Sequence, residues 1–148
     1  MTTPFPISPE ELTTHWLSAV LDCQVDAFSV KPLGEGVGIL GLVTRVTLQG
    51  KACPKTLIAK FQSPVADNRA VAGLYQMYER EITFYTEIAP TLSIRAPSCF
   101  HAGYDPDSRA FVLLLEDLDQ YEIGDQVAGC SIAQCEQVVK ALAKFHAE

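Results

Sequence analysis

Positive charge is scarce in this chain. Eleven Lys and Arg stand against 18 Asp and Glu, a formal net charge of −7. Such a surface repels phosphate backbones, so nucleic acid is not an expected partner. Long apolar runs are missing as well. The longest clear one is Phe111 to Leu115, far short of the roughly 20 residues that span a bilayer. The first residues lack the basic-then-apolar pattern of a signal peptide, and no membrane partner is expected. The five cysteines (Cys23, Cys53, Cys99, Cys130, Cys135) form no C-x-x-C pair, and His15, His101 and His146 lie far apart. No metal site is expected from them. Unpaired thiols in an acidic chain of this kind suit a reducing cytoplasm. What remains is ordinary: 148 residues, 48% hydrophobic and 20% charged, enough for one domain with its own core.

Local patterns place the elements. Ser8-Pro9-Glu10-Glu11 predicts a helix start with a capping box closed by Glu11, and a helix running to about Leu21. Leu12, Trp16, Leu17 and Val20 share one face of it. Phe28 to Leu33, Leu42 to Leu48 and Thr56 to Phe61 read as strands, with a turn over Gly50 to Pro54. The longest helix signal covers about Asn68 to Ile88 and closes at Pro90. Ser98 to Tyr104 and Ala110 to Leu115 read as two more strands around an Asp105-Pro106-Asp107-Ser108 turn. Ser131 caps a last helix, with Gln134 three residues on and a stripe of Ile132, Cys135, Val138, Val139, Leu142 and Phe145. The order predicts an α+β fold, with an antiparallel sheet of five strands, one long helix packed on it, and a further helix at each end.

Three features carry chemistry. The first is Gly34-Glu35-Gly36-Val37-Gly38-Ile39-Leu40-Gly41. Its G-x-G-x-x-G core is not the dinucleotide-binding form, because β-branched, alternating residues follow it where that form needs a helix. No Gly-Lys-Ser/Thr follows, which excludes a Walker A loop. A strand–turn–strand flap that closes its N–H groups over phosphates fits, and so does a plain glycine-rich hairpin. The second feature is Lys60, which shares a strand face with Thr56 and Ile58 while Leu57, Ala59 and Phe61 point the other way. Alone, it is equally an edge-strand lysine reaching water. The third is Glu81. Its helical neighbours are Leu74, Met77, Tyr78, Phe84, Tyr85 and Ile88, so the pattern sets a carboxylate in an apolar stripe, where it needs a cation. Glu79 lies off that stripe. Lys60 is the partner expected for Glu81.

Taken together, these residues resemble the N-terminal lobe of protein-kinase-like small-molecule phosphotransferases. These are the aminoglycoside phosphotransferase and choline-kinase-like superfamily, close to its ecdysteroid-kinase-like branch. The resemblance spans nearly the whole chain. Its most specific pieces are Tyr78-Glu79-Arg80-Glu81-Ile82-Thr83-Phe84-Tyr85, Phe111-Val112-Leu113-Leu114-Leu115-Glu116-Asp117-Leu118 and Leu142-Ala143-Lys144-Phe145-His146-Ala147. It implies ATP as ligand, with Gly34, Gly36, Gly38 and Gly41 over the phosphates. Lys60 would reach the phosphates, and Glu81 would hold Lys60. It makes Leu115 a gatekeeper, and the backbone of Glu116 and Leu118 the contacts to the adenine edge. It divides the chain into a helical extension (1–22), a nucleotide-binding lobe with its hinge (23–119), and the linker and first helix of a second lobe (120–148).

The departure from the family pattern matters as much. The family's His-Gly-Asp catalytic loop, with its following asparagine, is absent. His101-Ala102-Gly103-Tyr104-Asp105 lies between two strands and is a decoy. The expectation is a chain truncated before the catalytic loop. It would have no catalytic or metal-binding residue of its own, and magnesium and a small-molecule acceptor would bind only in an intact enzyme. Leu115 to Leu118 and the last helix's stripe would then be partly uncovered and prone to association. A catalytically dead module that binds nucleotide or protein is the alternative, and an unrelated α+β binding domain is a further rival.

Overall fold

Alternating residues become the expected antiparallel sheet. The computed structural model describes residues 5–34, 40–122, 124–125 and 127–147. The strands are β1 (Gln24–Pro32), β2 (Gly41–Lys51), β3 (Thr56–Gln62), β4 (Cys99–Tyr104) and β5 (Phe111–Glu116). They lie in the order β1-β2-β3-β5-β4, and every pairing is antiparallel. Helices α1 (Thr14–Leu21), α2 (Ala66–Leu74), α3 (Met77–Thr83) and α4 (Ile132–His146) complete the described elements, with short helical turns between them. No described helix is long and apolar enough to cross a membrane.

Both faces of the sheet are covered, which explains why Phe111 to Leu115 is apolar without alternation. On one face Val46, Leu57, Ala59, Phe61, Val112 and Leu114 are buried with Leu12 and with Leu17 of α1. On the other, Phe111, Leu113 and Leu115 are buried with Ala72 of α2 and Tyr78 of α3. Strand β3 divides as its pattern predicts. Leu57, Ala59 and Phe61 are fully buried, and Thr56, Ile58 and Lys60 are half-buried on the second face.

Two helices differ from expectation. The N-terminal helix does not start at Ser8. Pro9–Glu11 forms one tight turn, Leu12 is extended, and Thr13 caps α1 by accepting from the Trp16 N–H (3.1 Å). Glu11 accepts from the Ile7 N–H (3.0 Å) instead of closing a capping box on Ser8. The cause is Leu12, which leaves helical geometry as it buries its side chain in the core.

The long helix expected over residues 68–88 is broken. α2 ends at Leu74, Gln76 takes a left-handed conformation (φ 53°), and α3 then runs to Thr83 before a wide turn over Phe84–Ile88. Packing gives the reason. An α-helix turns about 100° per residue, so nine residues put Ala72 and Glu81 about 180° apart on a continuous helix. Ala72 is fully buried against the sheet. An unbroken helix that kept it there would aim Glu81 at solvent. The left-handed residue resets the phase, and both residues face the sheet.

At the other end Ser131 and Gln134 form the expected capping box, with Gln134 Nα donating to Ser131 Oγ and Ser131 Nα donating to Gln134 Oε1. Ile132, Val138, Val139 and Leu142 of α4 are exposed. Leu115 to Leu118, expected to be partly uncovered, is so only in part. Leu115 and Asp117 are buried, one under the α3 cluster and one against Arg45, while Glu116 and Leu118 are half-buried.

His101, set aside above as a decoy, lies on β4 with its ring edge-on to Trp16 (5.2 Å between centroids). Its Nε2 is buried and unpartnered among the described residues. Burial pushes its pKa below the usual histidine value. The unfolded chain therefore takes up this proton before the folded one does. Stability should fall as pH drops through about 6.5 toward the depressed folded value. His101→Phe should flatten the melting temperature between about pH 6.5 and 5. An unchanged slope in thermal melts across that range would remove His101 as the cause.

Candidate functional site

Lys60 sits in the middle of β3, with Val43 of β2 and Leu113 of β5 as its cross-strand partners. Because those partners share its face, Lys60 projects from the same side of the sheet as α3. Its ammonium forms an ion pair with Glu81 Oε1, the partner expected from the sequence. The side chains are 25% and 28% exposed. This corrects one expectation. Glu81 is not enclosed in an apolar stripe, because Leu74 is 75% exposed and Met77 and Ile88 are also exposed. Only Tyr78 is buried, with Ile82, Phe84 and Tyr85 half-buried. The pair stands at the margin of the covered surface, with part of each side chain exposed.

Tyr78 is the residue that locates α3. It is buried and stacks on Phe111, with ring centroids 4.4 Å apart. Its hydroxyl donates to the Leu40 carbonyl (2.5 Å) and accepts from the Ser63 N–H (3.1 Å). One side chain thus ties α3 to the start of β2 and the end of β3. Tyr78 and Glu81 are three residues apart, on adjacent positions of one helix face. The sequence marked Tyr78 only as part of an apolar stripe. The signal that went unread is its hydroxyl, which needs a partner wherever the ring is buried.

Of the glycine turn, Gly34 has φ 66°, a conformation that favours glycine, and Gly41 opens β2. Gly36 and Gly38 lie outside the described residues. Glu116 ends β5, and Leu118 follows it. The Glu116 N–H is committed to the Ser98 carbonyl (2.8 Å), so it is not a free donor. The Leu118 carbonyl accepts from Tyr121 (2.9 Å), while its N–H has no partner among the described residues.

Two ion pairs brace this segment, and neither was read from the sequence. Arg95 forks onto Glu116, with Nη1 and Nη2 at 3.0 and 2.5 Å from the two carboxylate oxygens. Hydrogen bonding from Arg95 and Ser98 holds the Glu116 carboxyl down at about 2. Arg45 of β2 reaches Asp117, with Nε–Oδ2 at 2.6 Å and Nη2–Oδ1 at 3.0 Å. Its partner's hydrogen bond raises the Arg45 pKa. Asp117 stood in the acidic run, but nothing in local spacing points to a residue 72 positions away. Among the described residues no three or more His, Cys, Asp or Glu side chains gather into a metal-binding group.

The arrangement sets a paired cation on one stretch of the sheet, and a backbone donor with a carbonyl beside it at the end of β5. A family model described as ecdysteroid kinase-like matches residues 36–148, a span that includes Lys60, Glu81 and the Glu116–Leu118 segment. No curated protein and no solved structure matches the chain.

Removing either support of α3 should be measurable. Tyr78→Phe leaves the Ser63 N–H without an acceptor and should cost about 1–3 kcal/mol. Glu81→Ala should cost about 1–2 kcal/mol, because the pair is half-covered, and Glu79→Ala under about 0.5 kcal/mol. Denaturant unfolding of the three variants checks the order. Equal midpoints for Glu81→Ala and Glu79→Ala would show that the ion pair contributes nothing.

Proposed function

The chain belongs to the ecdysteroid kinase-like family, and from that premise we propose that it forms the nucleotide-binding lobe of an ATP-dependent small-molecule phosphotransferase with a hydroxyl acceptor. The observation that carries the reading is the Lys60–Glu81 ion pair on the face of β3. A lysine held by a glutamate from a facing helix offers its remaining N–H donors in a fixed direction. That is what a charged phosphate chain needs for orientation.

The hinge side fits the same ligand. The Leu118 N–H can donate to a ring nitrogen of adenine, and the Glu116 carbonyl can accept from its amino group. Arg95 holds the Glu116 carboxylate away on its other side. Glycine N–H groups of the 34–41 turn complete the phosphate contacts in this proposal. Catalysis of this kind rests on positioning and electrostatics. Magnesium, when bound, neutralises charge on the phosphates. The residues present here orient the nucleotide. These 148 residues contain no His-Gly-Asp loop, so in this reading the proton acceptor and the metal ligands are not among them.

The test is a titration of the 148-residue chain with ATP, followed by amide chemical shifts. Shifts should cluster at 34–41, Lys60 and 116–118. Lys60→Ala should weaken binding about ten- to a hundredfold, the loss expected for a charge-assisted contact. With magnesium and a panel of small alcohols and amino alcohols, ADP release should stay at background. Absence of ATP binding would overturn the nucleotide reading. Turnover that disappears in Lys60→Ala would place a catalytic base within these residues.

A further inference from the structure

The cross-strand register lays out the surface around Lys60 as two rows. One row is Val43, Lys60 and Leu113, and the neighbouring row is Arg45, Ile58 and Leu115. Residues two apart on a strand are on the same face and about 7 Å apart. Arg45 therefore lies on the face that carries Lys60, one row nearer the end of β5. Beyond Leu115 the chain continues through Glu116, Asp117 and Leu118. A ligand with its phosphates at Lys60 and its base edge at Leu118 must run beneath the second row. Two of that row's members, Ile58 and Leu115, are ordinary apolar cover. The third is a cation.

The state of that cation is specific. Asp117 anchors it by one hydrogen bond, from Nη2 to Oδ1 at 3.0 Å, while Nε lies 2.6 Å from Oδ2 in a charge contact without hydrogen-bond geometry. The carboxylate side chain is 3% exposed while the Arg45 side chain is 32% exposed. The carboxylate is thus sealed off, and part of the arginine stays open. A planar guanidinium with its edge occupied offers its flat faces to a ring system, a contact that lysine cannot imitate.

We propose that Arg45 is a base-recognition residue, whose guanidinium, anchored by Asp117, stacks on the purine ring of the bound nucleotide. This rests on the nucleotide reading above. Asp117 acts through Arg45 as a positioning residue. The contact is made to the base alone. It should therefore favour purines over the smaller pyrimidine ring and be indifferent to the number of phosphates.

The experiment separates base from phosphate. Wild type, Arg45→Met and Arg45→Lys are titrated with ATP, CTP and inorganic tripolyphosphate, with folding of each variant checked by thermal melting. Methionine keeps the aliphatic cover, and lysine keeps the charge without the fork. Both variants should bind ATP about three- to tenfold more weakly. Tripolyphosphate affinity should be unchanged, and the preference for ATP over CTP should shrink. Equal weakening toward ATP and tripolyphosphate, or none toward either, would overturn the role of Arg45 while leaving the nucleotide reading intact. If Arg45→Lys alone retains full ATP affinity, charge suffices and stacking is refuted. Failure of wild type to bind ATP would overturn both.

Discussion

A strand that is apolar on both sides must be covered on both sides, and β5 imposes that demand on everything around it. Phe111, Leu113 and Leu115 face one way, Val112 and Leu114 the other, and all five are buried. Burying a large apolar side chain contributes about 1.5–3 kcal/mol. An uncovered face would forfeit several such terms at once. The N-terminal segment with α1 supplies one cover and the α2–α3 segment supplies the other. The candidate site arises where the second cover stops. Lys60 projects from the sheet just where α3 no longer shields it, so the pair with Glu81 is only partly covered.

In the proposed reading, that placement is what would let the pair serve a ligand. A lysine sealed in the core would pay its desolvation cost and be unreachable. One in open water would lose direction to side-chain freedom. Glu81 fixes the direction, and Tyr78 fixes Glu81. The Tyr78 hydroxyl reaches backbone of two adjacent strands at their shared end, at Leu40 before β2 and at Ser63 after β3. Leu40 is the residue just before β2, at the foot of the glycine turn. The same tyrosine therefore links the position of the acidic helix to the base of the glycine turn.

The parts that were legible in the sequence are those in which neighbours decide the outcome. Alternation in 42–48 and 56–61, the unbroken apolar run of 111–115, and the Ser131–Gln134 cap all depend on residues within a few positions of each other. The Lys60–Glu81 pairing was reached from a carboxylate read in an apolar stripe, and the pair forms although Leu74, Met77 and Ile88 of that stripe are exposed. The break at Gln76 was not legible. Apart from Gly73, residues 68–88 suit a helix, and the joint need of Ala72 and Glu81 to face one sheet is not readable from local pattern. The exposure of Leu74, Met77 and Ile88 follows from the same phase change. Arg45–Asp117 and Arg95–Glu116 join segments far apart in the chain, and local spacing carries no trace of them. The ligand roles of the glycines rest on the resemblance, and Gly36 and Gly38 lie outside the described residues.

The left-handed bend at Gln76 has a consequence for how related chains should be aligned. In a continuous helix, adding or losing one residue between Ala72 and Glu81 would rotate the carboxylate by about 100° and strand it. With a bend at Gln76 beside the exposed Leu74 and Tyr75, length changes can be absorbed there without disturbing α3. The 21-residue separation of Lys60 and Glu81 is thus not required by the pair itself. An alignment that enforces a fixed lysine-to-glutamate distance would mispair relatives whose bend is longer or shorter. Within this chain the fixed register is the shorter one, from Tyr78 to Glu81 inside α3.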